Sequence, residues 1–195
     1  MKSKAFEKIT NRLIESGAIS AEDKDIYEYG LKHICDMFLN IMTTLVIGFI
    51  FGMIWQSIIF MVSYIPLRSY AGGYHARTQL RCYIFSVVLT VCVLLSIKYI
   101  PYSNILFISL TIISGIVIFI FAPIGDENKP LDENETKVFK KRTRIILFIE
   151  IVLIGLFTYL NTTWITICIV ISVIIAGIMV AIGYIKININ KIKKG

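Results

Sequence analysis

The sequence predicts an all-α, polytopic membrane protein with about six transmembrane helices and cytoplasmic amphipathic helices at its amino terminus. Hydrophobic content, a low share of charge and the placement of the basic residues together predict this class. Of the 195 residues, 56% are hydrophobic and 17% are charged, whereas a typical soluble domain is about 25% charged. A water-soluble domain of this length could not bury so much apolar surface. The composition also excludes intrinsic disorder, collagen and a disulfide-stapled mini-protein.

The amino-terminal segment, residues 1–36, is predicted to form two amphipathic helices at the cytoplasmic face. It holds six basic and seven acidic side chains and no apolar run typical of a secretory signal. Gly17 ends the first helical pattern, and Ser20 with Asp23 can cap the next helix. The segment is either a surface anchor or a docking site for a substrate. Apolar residues recur at helical spacing in its first half, at Phe6, Ile9, Leu13 and Ile14.

The following region, 37–185, contains the predicted transmembrane domain. A bilayer core of about 30 Å needs roughly 20 apolar residues per helix. The first two segments share only the stretch 37–67, so they form either two short spans or one long helix followed by a re-entrant segment. The six apolar segments are 37–53, 54–67, 83–100, 104–122, 145–160 and 163–185.

The distribution of basic residues predicts the orientation of these spans. With the amino terminus in the cytoplasm, 19 of the 20 Lys and Arg residues lie on the inner side, and only Lys98 lies outside. Cytoplasmic segments of membrane proteins are enriched in Lys and Arg, so both termini are predicted to be cytoplasmic. The predicted cytoplasmic segments are then 1–36, the loops 68–82 and 124–144, and the basic tail 186–195.

Few side chains in this chain can carry out covalent chemistry. There are four cysteines and two histidines, and the irregular cysteine spacing argues against a zinc site or a disulfide framework. Cys92 and Cys168 lie inside apolar spans and are interpreted as packing residues. His33 and Cys35 are two residues apart, which turns their side chains about 200° from each other on a helix. No metal or other cofactor is predicted.

The second cytoplasmic segment, 68–82, is the candidate site of catalysis. An unbroken helix would hold His75 and Cys82 about 10.5 Å apart along its axis, too far for a hydrogen bond. Gly72 and Gly73 permit positive φ and could fold His75 back toward Cys82. Arginines in the segment and the start of the third span would favour the thiolate of Cys82. The alternative is a basic loop whose histidine faces the lipid headgroups.

Two stretches of the sequence carry a resemblance to a known family. The run RSYAGGYHARTQLRC at 68–82, together with NKPL at 128–131, closely resembles the accessory gene regulator protein B (AgrB) family. The resemblance implies a membrane-embedded cysteine endopeptidase that removes the carboxy-terminal tail of an autoinducing-peptide precursor in quorum sensing. It further implies that a thioester acyl-enzyme promotes closure of a lactone or thiolactone ring. His75 and Cys82 take the positions of the family's catalytic residues.

The resemblance extends to residues that would position or bind the substrate. Arg68, Gly72 and Gly73 match further motif positions, and Gln79 is adjacent in sequence. Arginine or backbone N–H groups near the two glycines would stabilise the oxyanion. No third catalytic residue is evident; Gln79 is adjacent in sequence, and the acidic Glu150 in the fifth span is either a functional residue or packs against a partner within the bundle. The candidate substrate-binding residues are the basic side chains Lys129, Lys140, Lys141 and Arg142.

The family resemblance and the basic segments also indicate the expected partners. They are a short amphipathic precursor peptide with an acidic carboxy-terminal tail and the lipid of a bacterial cell membrane, with no nucleic acid. A homodimer could form through a small-residue face at Ser172, Ala176 and Gly183. Two other functions stay open. Gln56 in the short 37–67 region could mark a non-enzymatic peptide transporter, and a scaffold for a partner kinase would need neither His75 nor Cys82.

Overall fold

A computed structural model describes residues 4–73, 79–100, 104–125 and 132–194, and every regular element in these ranges is an α-helix. The all-α class is therefore confirmed. The chain divides into two compact units, Met1–Thr44 and Leu45–Gly195. The helices are α1 (Lys4–Glu15), α2 (Lys24–Ile50), α3 (Ile54–Ala71), α4 (Gln79–Tyr99), α5 (Asn104–Phe121), α6 (Glu133–Tyr159) and α7 (Thr163–Lys194).

The boundary between α1 and α2 lies where the sequence predicts it. Gly17 has a φ of +73°, in the left-handed region that favours glycine. The Ser20 hydroxyl donates to Asp23 Oδ2 at 2.8 Å immediately before α2. The second amphipathic helix and the first apolar segment then form one continuous helix, because no proline interrupts residues 24–50.

The apolar region 37–67 contains a helix break close to the predicted division. Helix α2 ends at Ile50, and Gly52 has a φ of +66°. The Met53 N–H donates to the carbonyl of Gly48 at 2.7 Å and closes the turn. A side chain at Gly48 would overlap Ser57 at the start of α3, so the glycine permits this close approach.

Helix α7 is the centre of the larger unit and packs against α3, α5 and α6, with fewer contacts to α4. Small residues allow the helices to approach closely, since a Cβ added to Gly177 would lie 2.7 Å from Ser114 Cβ in α5. One apolar cluster joins α3, α5, α6 and α7, and a second includes α4. The largest fully buried apolar side chains are Leu67, Val93, Leu94, Ile118, Val170, Val173 and Val180.

Three described helices are long and apolar enough to cross a membrane, within Lys24–Ile50, Leu80–Tyr99 and Thr163–Ile189. The apolar stretch Ile105–Phe121 in α5 is shorter. Large apolar side chains on these helices are exposed, for example Ile105 at 84% and Phe49 at 75%. Such a surface suits lipid rather than water. The number of crossings and their orientation stay predictions.

Two expectations are corrected by the helical packing. The segment 124–144 is not a loop throughout, because α6 begins at Glu133 and the basic half is helical. The proposed dimer face on α7 is used inside the chain. Ser172 and Ala176 are 0% exposed and Gly183 is buried, so their small side chains serve contacts within this bundle.

Candidate active site

The predicted bend at Gly72 and Gly73 is a turn that ends α3. Helix α3 stops at Ala71, and the two glycines have φ values of +70° and +116°. The Gly72 N–H donates to the Arg68 carbonyl at 3.1 Å, while Arg68 Nη1 donates to the Gly72 carbonyl. Arg68 therefore closes the turn from both its backbone and its side chain. The segment 68–82 is not one unbroken helix.

Both glycines are required by the neighbours of this turn. The Ile124 N–H donates to the Ala71 carbonyl at 2.9 Å and pairs the segment after α5 with the end of α3. A Cβ at Gly72 would overlap the Ile124 carbonyl, and one at Gly73 would lie 2.7 Å from the Met179 carbonyl oxygen in α7. The turn is wedged between two backbone segments, which leaves no room for a side chain.

Cys82 lies in the first turn of α4, which begins at Gln79, and is partly exposed. The first turn of a helix is the positive end of its dipole. The Tyr64 hydroxyl in α3 is hydrogen-bonded to Arg68. The candidate nucleophile therefore lies at the start of the helix that follows the glycine turn.

The basic end of α6 is joined to the end of α3 near the same turn. Arg142 Nη1 donates to the Tyr70 hydroxyl at 2.9 Å, and its guanidinium lies 5.1 Å from the centre of the Tyr70 ring. Phe139 packs edge-on against Tyr70, with ring centres 5.5 Å apart. Lys140 and Lys141 are exposed beside this contact. Lys140, Lys141 and Arg142, three of the four predicted substrate-binding residues, therefore lie together on α6.

Several predicted residues lie outside the described part of the chain. They include His75 and Lys129, and the side chain of Gln79 is also outside it. The other three cysteines do not belong to the segment 68–82. Cys35 and Cys92 are exposed, and Cys168 is buried in α7. In the described ranges, no three His, Cys, Asp or Glu side chains are grouped as metal ligands.

The role of backbone N–H groups near the two glycines as oxyanion donors stays a prediction. The Gly72 N–H donates to the Arg68 carbonyl and ends α3. Two residues near the turn are additions to those predicted from the sequence. Tyr64 precedes Arg68 by four residues, a spacing that places both on one helix face and could have indicated the contact. Tyr70 pairs with a residue 72 positions away, and no local pattern indicates it.

Comparison of the sequence with known proteins identifies its family. The family model for accessory gene regulator B matches residues 6–180. The chain belongs to the AgrB family. The AgrB match includes the whole of segment 68–82, the residues Ile124 and Met179 that lie against the glycine turn, and the segment 128–131.

Relatives of known name agree with the AgrB assignment. A putative AgrB-like protein 2 of Clostridium perfringens strain 13 is 31% identical over 73% of this chain and 72% of its own length. A putative AgrB-like protein of C. perfringens strain SM101 is 30% identical, covering 80% and 78%. Accessory gene regulator protein B of Staphylococcus saprophyticus is 29% identical, covering 69% and 62%. No solved structure matches the chain significantly.

Proposed function

We propose that this AgrB-family protein is a membrane-embedded cysteine endopeptidase that processes the precursor of a quorum-sensing peptide. The observation that carries the proposal is the arrangement around Cys82. The Cys82 thiol lies in the first turn of α4, and the preceding helix α3 ends in the Gly72–Gly73 turn that Arg68 closes. A partly exposed cysteine in an electropositive setting at a helix amino terminus is typical of a reactive thiol.

The first half of the reaction cleaves the precursor. His75 takes the proton of the Cys82 thiol, and the thiolate attacks the carbonyl carbon of the scissile peptide bond. The carbon–nitrogen bond then breaks, His75 returns the proton to the departing amine, and the carboxy-terminal tail leaves. The guanidinium of Arg68 stabilises the negative oxygen of the tetrahedral intermediate; loss of one such donor typically costs about 3 kcal/mol.

The second half of the reaction closes a ring. The remaining precursor fragment is joined to Cys82 as a thioester. A thiol or hydroxyl within that fragment attacks the thioester carbonyl, the bond to the Cys82 sulfur breaks, and the free Cys82 thiol is restored. Water would compete by hydrolysing the thioester, so the active site must be shielded from it. A position at the membrane boundary supplies that shielding.

Precursor recognition is assigned to the basic end of α6. Arg142, Lys140 and Lys141 would attract the acidic tail of a short amphipathic precursor, while its apolar face lies on the membrane. The Arg142–Tyr70 contact supports this assignment, because it holds the basic segment beside the end of α3. We place the reaction on the cytoplasmic side, where thiols stay reduced.

The proposal is tested by precursor cleavage in membranes. Cys82→Ala and His75→Ala should abolish cleavage while accumulating to the wild-type level. Cys35→Ala and Cys92→Ala are matched controls, because both cysteines are exposed and neither belongs to the segment 68–82. The controls should cleave normally.

Two results would contradict the proposed function. Normal cleavage by either Cys82→Ala or His75→Ala would remove the catalytic pair. Transport of the precursor into vesicles without any change in its mass would instead identify a non-enzymatic transporter.

A further inference from the structure

A buried carboxyl group lies at the contact of three helices. Glu150 in α6 is 4% exposed, and its Oε1 lies 2.7 Å from Ser63 Oγ in α3. Ser63 Oγ lies 2.5 Å from Ser172 Oγ in α7, and Ser172 Oγ lies 2.7 Å from the Ile169 carbonyl oxygen. These contacts form a continuous series of oxygen atoms through α6, α3 and α7.

The number of protons in this series depends on the protonation of Glu150. Each of the three contacts has hydrogen-bonding length and needs one proton between its two oxygens. The hydroxyls of Ser63 and Ser172 supply two, and an ionised carboxylate supplies none. A protonated carboxyl supplies the third. All donations then run in one direction, from Glu150 to Ser63, to Ser172 and to the Ile169 carbonyl.

The second oxygen of Glu150 indicates the same protonation state. Within the described ranges, Oε2 is buried and has no hydrogen-bond partner. A buried charged oxygen without a donor is costly, because it loses its hydration and gains nothing in return. The carbonyl oxygen of a neutral carboxylic acid loses much less. Oε2 therefore fits the carbonyl of the acid, and Oε1 fits its hydroxyl.

The surrounding groups supply no counter-charge for Glu150. Burial and the Ser63 contact are its main interactions, with no charged partner in the described part of the chain. The Arg68 guanidinium is engaged by the Gly72 carbonyl and Tyr64, and that of Arg144 lies 4.1 Å from the Phe119 ring centre. Helix α5 carries no titratable side chain. The titratable side chains closest in sequence to Ser63, Glu150 and Ser172 on these helices are Tyr64 and Arg68 in α3, Arg144 in α6 and Cys168 in α7.

We propose that Glu150 is a proton-binding site, a neutral carboxylic acid at pH 7 whose hydroxyl ties α6 to α3 and α7 through Ser63 and Ser172. The bound proton allows an acidic residue to lie in the interior of an apolar bundle. It also completes the hydrogen bonds that hold α3, the helix that ends at the glycine turn. This site is independent of the proposed peptidase reaction.

Infrared spectroscopy of the full chain in lipid nanodiscs at pH 7 tests the proposal. The wild type should show the carbonyl-stretch band of a protonated carboxyl group, at the high-frequency end of its range because Oε2 accepts no hydrogen bond. Glutamate labelled with ¹³C at its side-chain carboxyl should shift the band, and Glu150→Gln should remove it. The isotope shift is measured on the wild type, so it assigns the band to a glutamate carboxyl group even if Glu150→Gln fails to fold.

Serine variants connect the band to the series of hydrogen bonds. Ser63→Ala should move the band, because the Glu150 hydroxyl loses its acceptor. Ser109→Ala is the matched control, since Ser109 is exposed and donates only within α5, and it should leave the band in place. Absence of the band from the folded wild type or its persistence in Glu150→Gln would overturn the proposal.

Discussion

Gly73 occupies a position that no larger residue can fill without displacing the backbone of α7. Its φ is +116°, and an added Cβ would lie 2.7 Å from the Met179 carbonyl oxygen and 3.1 Å from Arg68 Nη1. The strained conformation alone costs a residue with a side chain about 1–3 kcal/mol. The identity of this residue therefore determines both the end of α3 and the position of the Arg68 guanidinium.

Gly73→Ala should destabilise the protein by at least about 2 kcal/mol and lower precursor cleavage, because the turn must shift away from α7. Gly155→Ala is the matched control. Gly155 lies within α6 with no atom within 4 Å of an added Cβ, so alanine there should be neutral or stabilising. Thermal unfolding in detergent measures both variants, and equal midpoints for the two would contradict this account of the turn.

The hydroxyl and the ring of Tyr64 have different contacts, so their effects can be tested separately. Its ring stacks on Phe60 with centres 5.2 Å apart, while its hydroxyl is hydrogen-bonded to Arg68. Tyr64→Phe should keep the stacking and lower kcat/KM for cleavage about tenfold, the effect of one hydrogen bond to a charged group. Tyr159→Phe, at the opposite end of α6 from its basic segment, is the control. An unchanged kcat/KM in Tyr64→Phe would show that the hydroxyl has no role in the reaction.

At the scale of elements, the start of α6 determines where the basic segment becomes ordered. The Glu133 N–H donates to Asp132 Oδ1 at 2.7 Å, and the Asp132 N–H donates to Glu135 Oε2 at 3.4 Å. This is a capping box, which satisfies N–H groups that the first helical turn leaves without partners. The acidic side chains also interact favourably with the positive end of the helix dipole.

Asp132→Ala should lower stability by about 1 kcal/mol, because an alanine at this position cannot accept the hydrogen bond. Asn134→Ala is a suitable control, since Asn134 is exposed in the same turn and takes no part in the capping box. Hydrogen exchange at residues 133–137 would measure the effect directly. Equal protection in the two variants would show that the cap does not hold this end of α6.

At the scale of the whole molecule, single residues in the sequence predicted where helices end. Contacts between residues far apart in the sequence could not be predicted in this way. Gly17 and the Gly72–Gly73 pair indicated turns because glycine adopts positive φ without strain. The pairing of Gly72 with Ile124 joins residues far apart in sequence, so no pattern of spacing indicated it. The use of Ser172 inside the chain was missed for the same reason, since small residues suit contacts within one chain and between chains equally.

Membrane orientation is a property of the whole chain and can be measured with introduced cysteines. Lys137→Cys and Leu160→Cys lie at opposite ends of α6, about 34 Å apart at 1.5 Å per residue, enough to span a bilayer core of about 30 Å. In a chain whose four native cysteines are replaced, an impermeant maleimide applied to intact cells should label only Leu160→Cys. Labelling at residue 137 should require permeabilisation. The reverse pattern would contradict the orientation predicted from the basic residues.

The most direct measurement is the mass of the acyl-enzyme formed when the precursor reacts with the wild-type protein and is quenched in acid. The account predicts a fragment joined to the Cys82 peptide as a thioester, lighter than the whole precursor by the carboxy-terminal tail and released by hydroxylamine. Cys82→Ala should carry no such fragment. An adduct on another residue, or cleavage in full without any adduct at Cys82, would contradict the assignment of this thiol as the nucleophile.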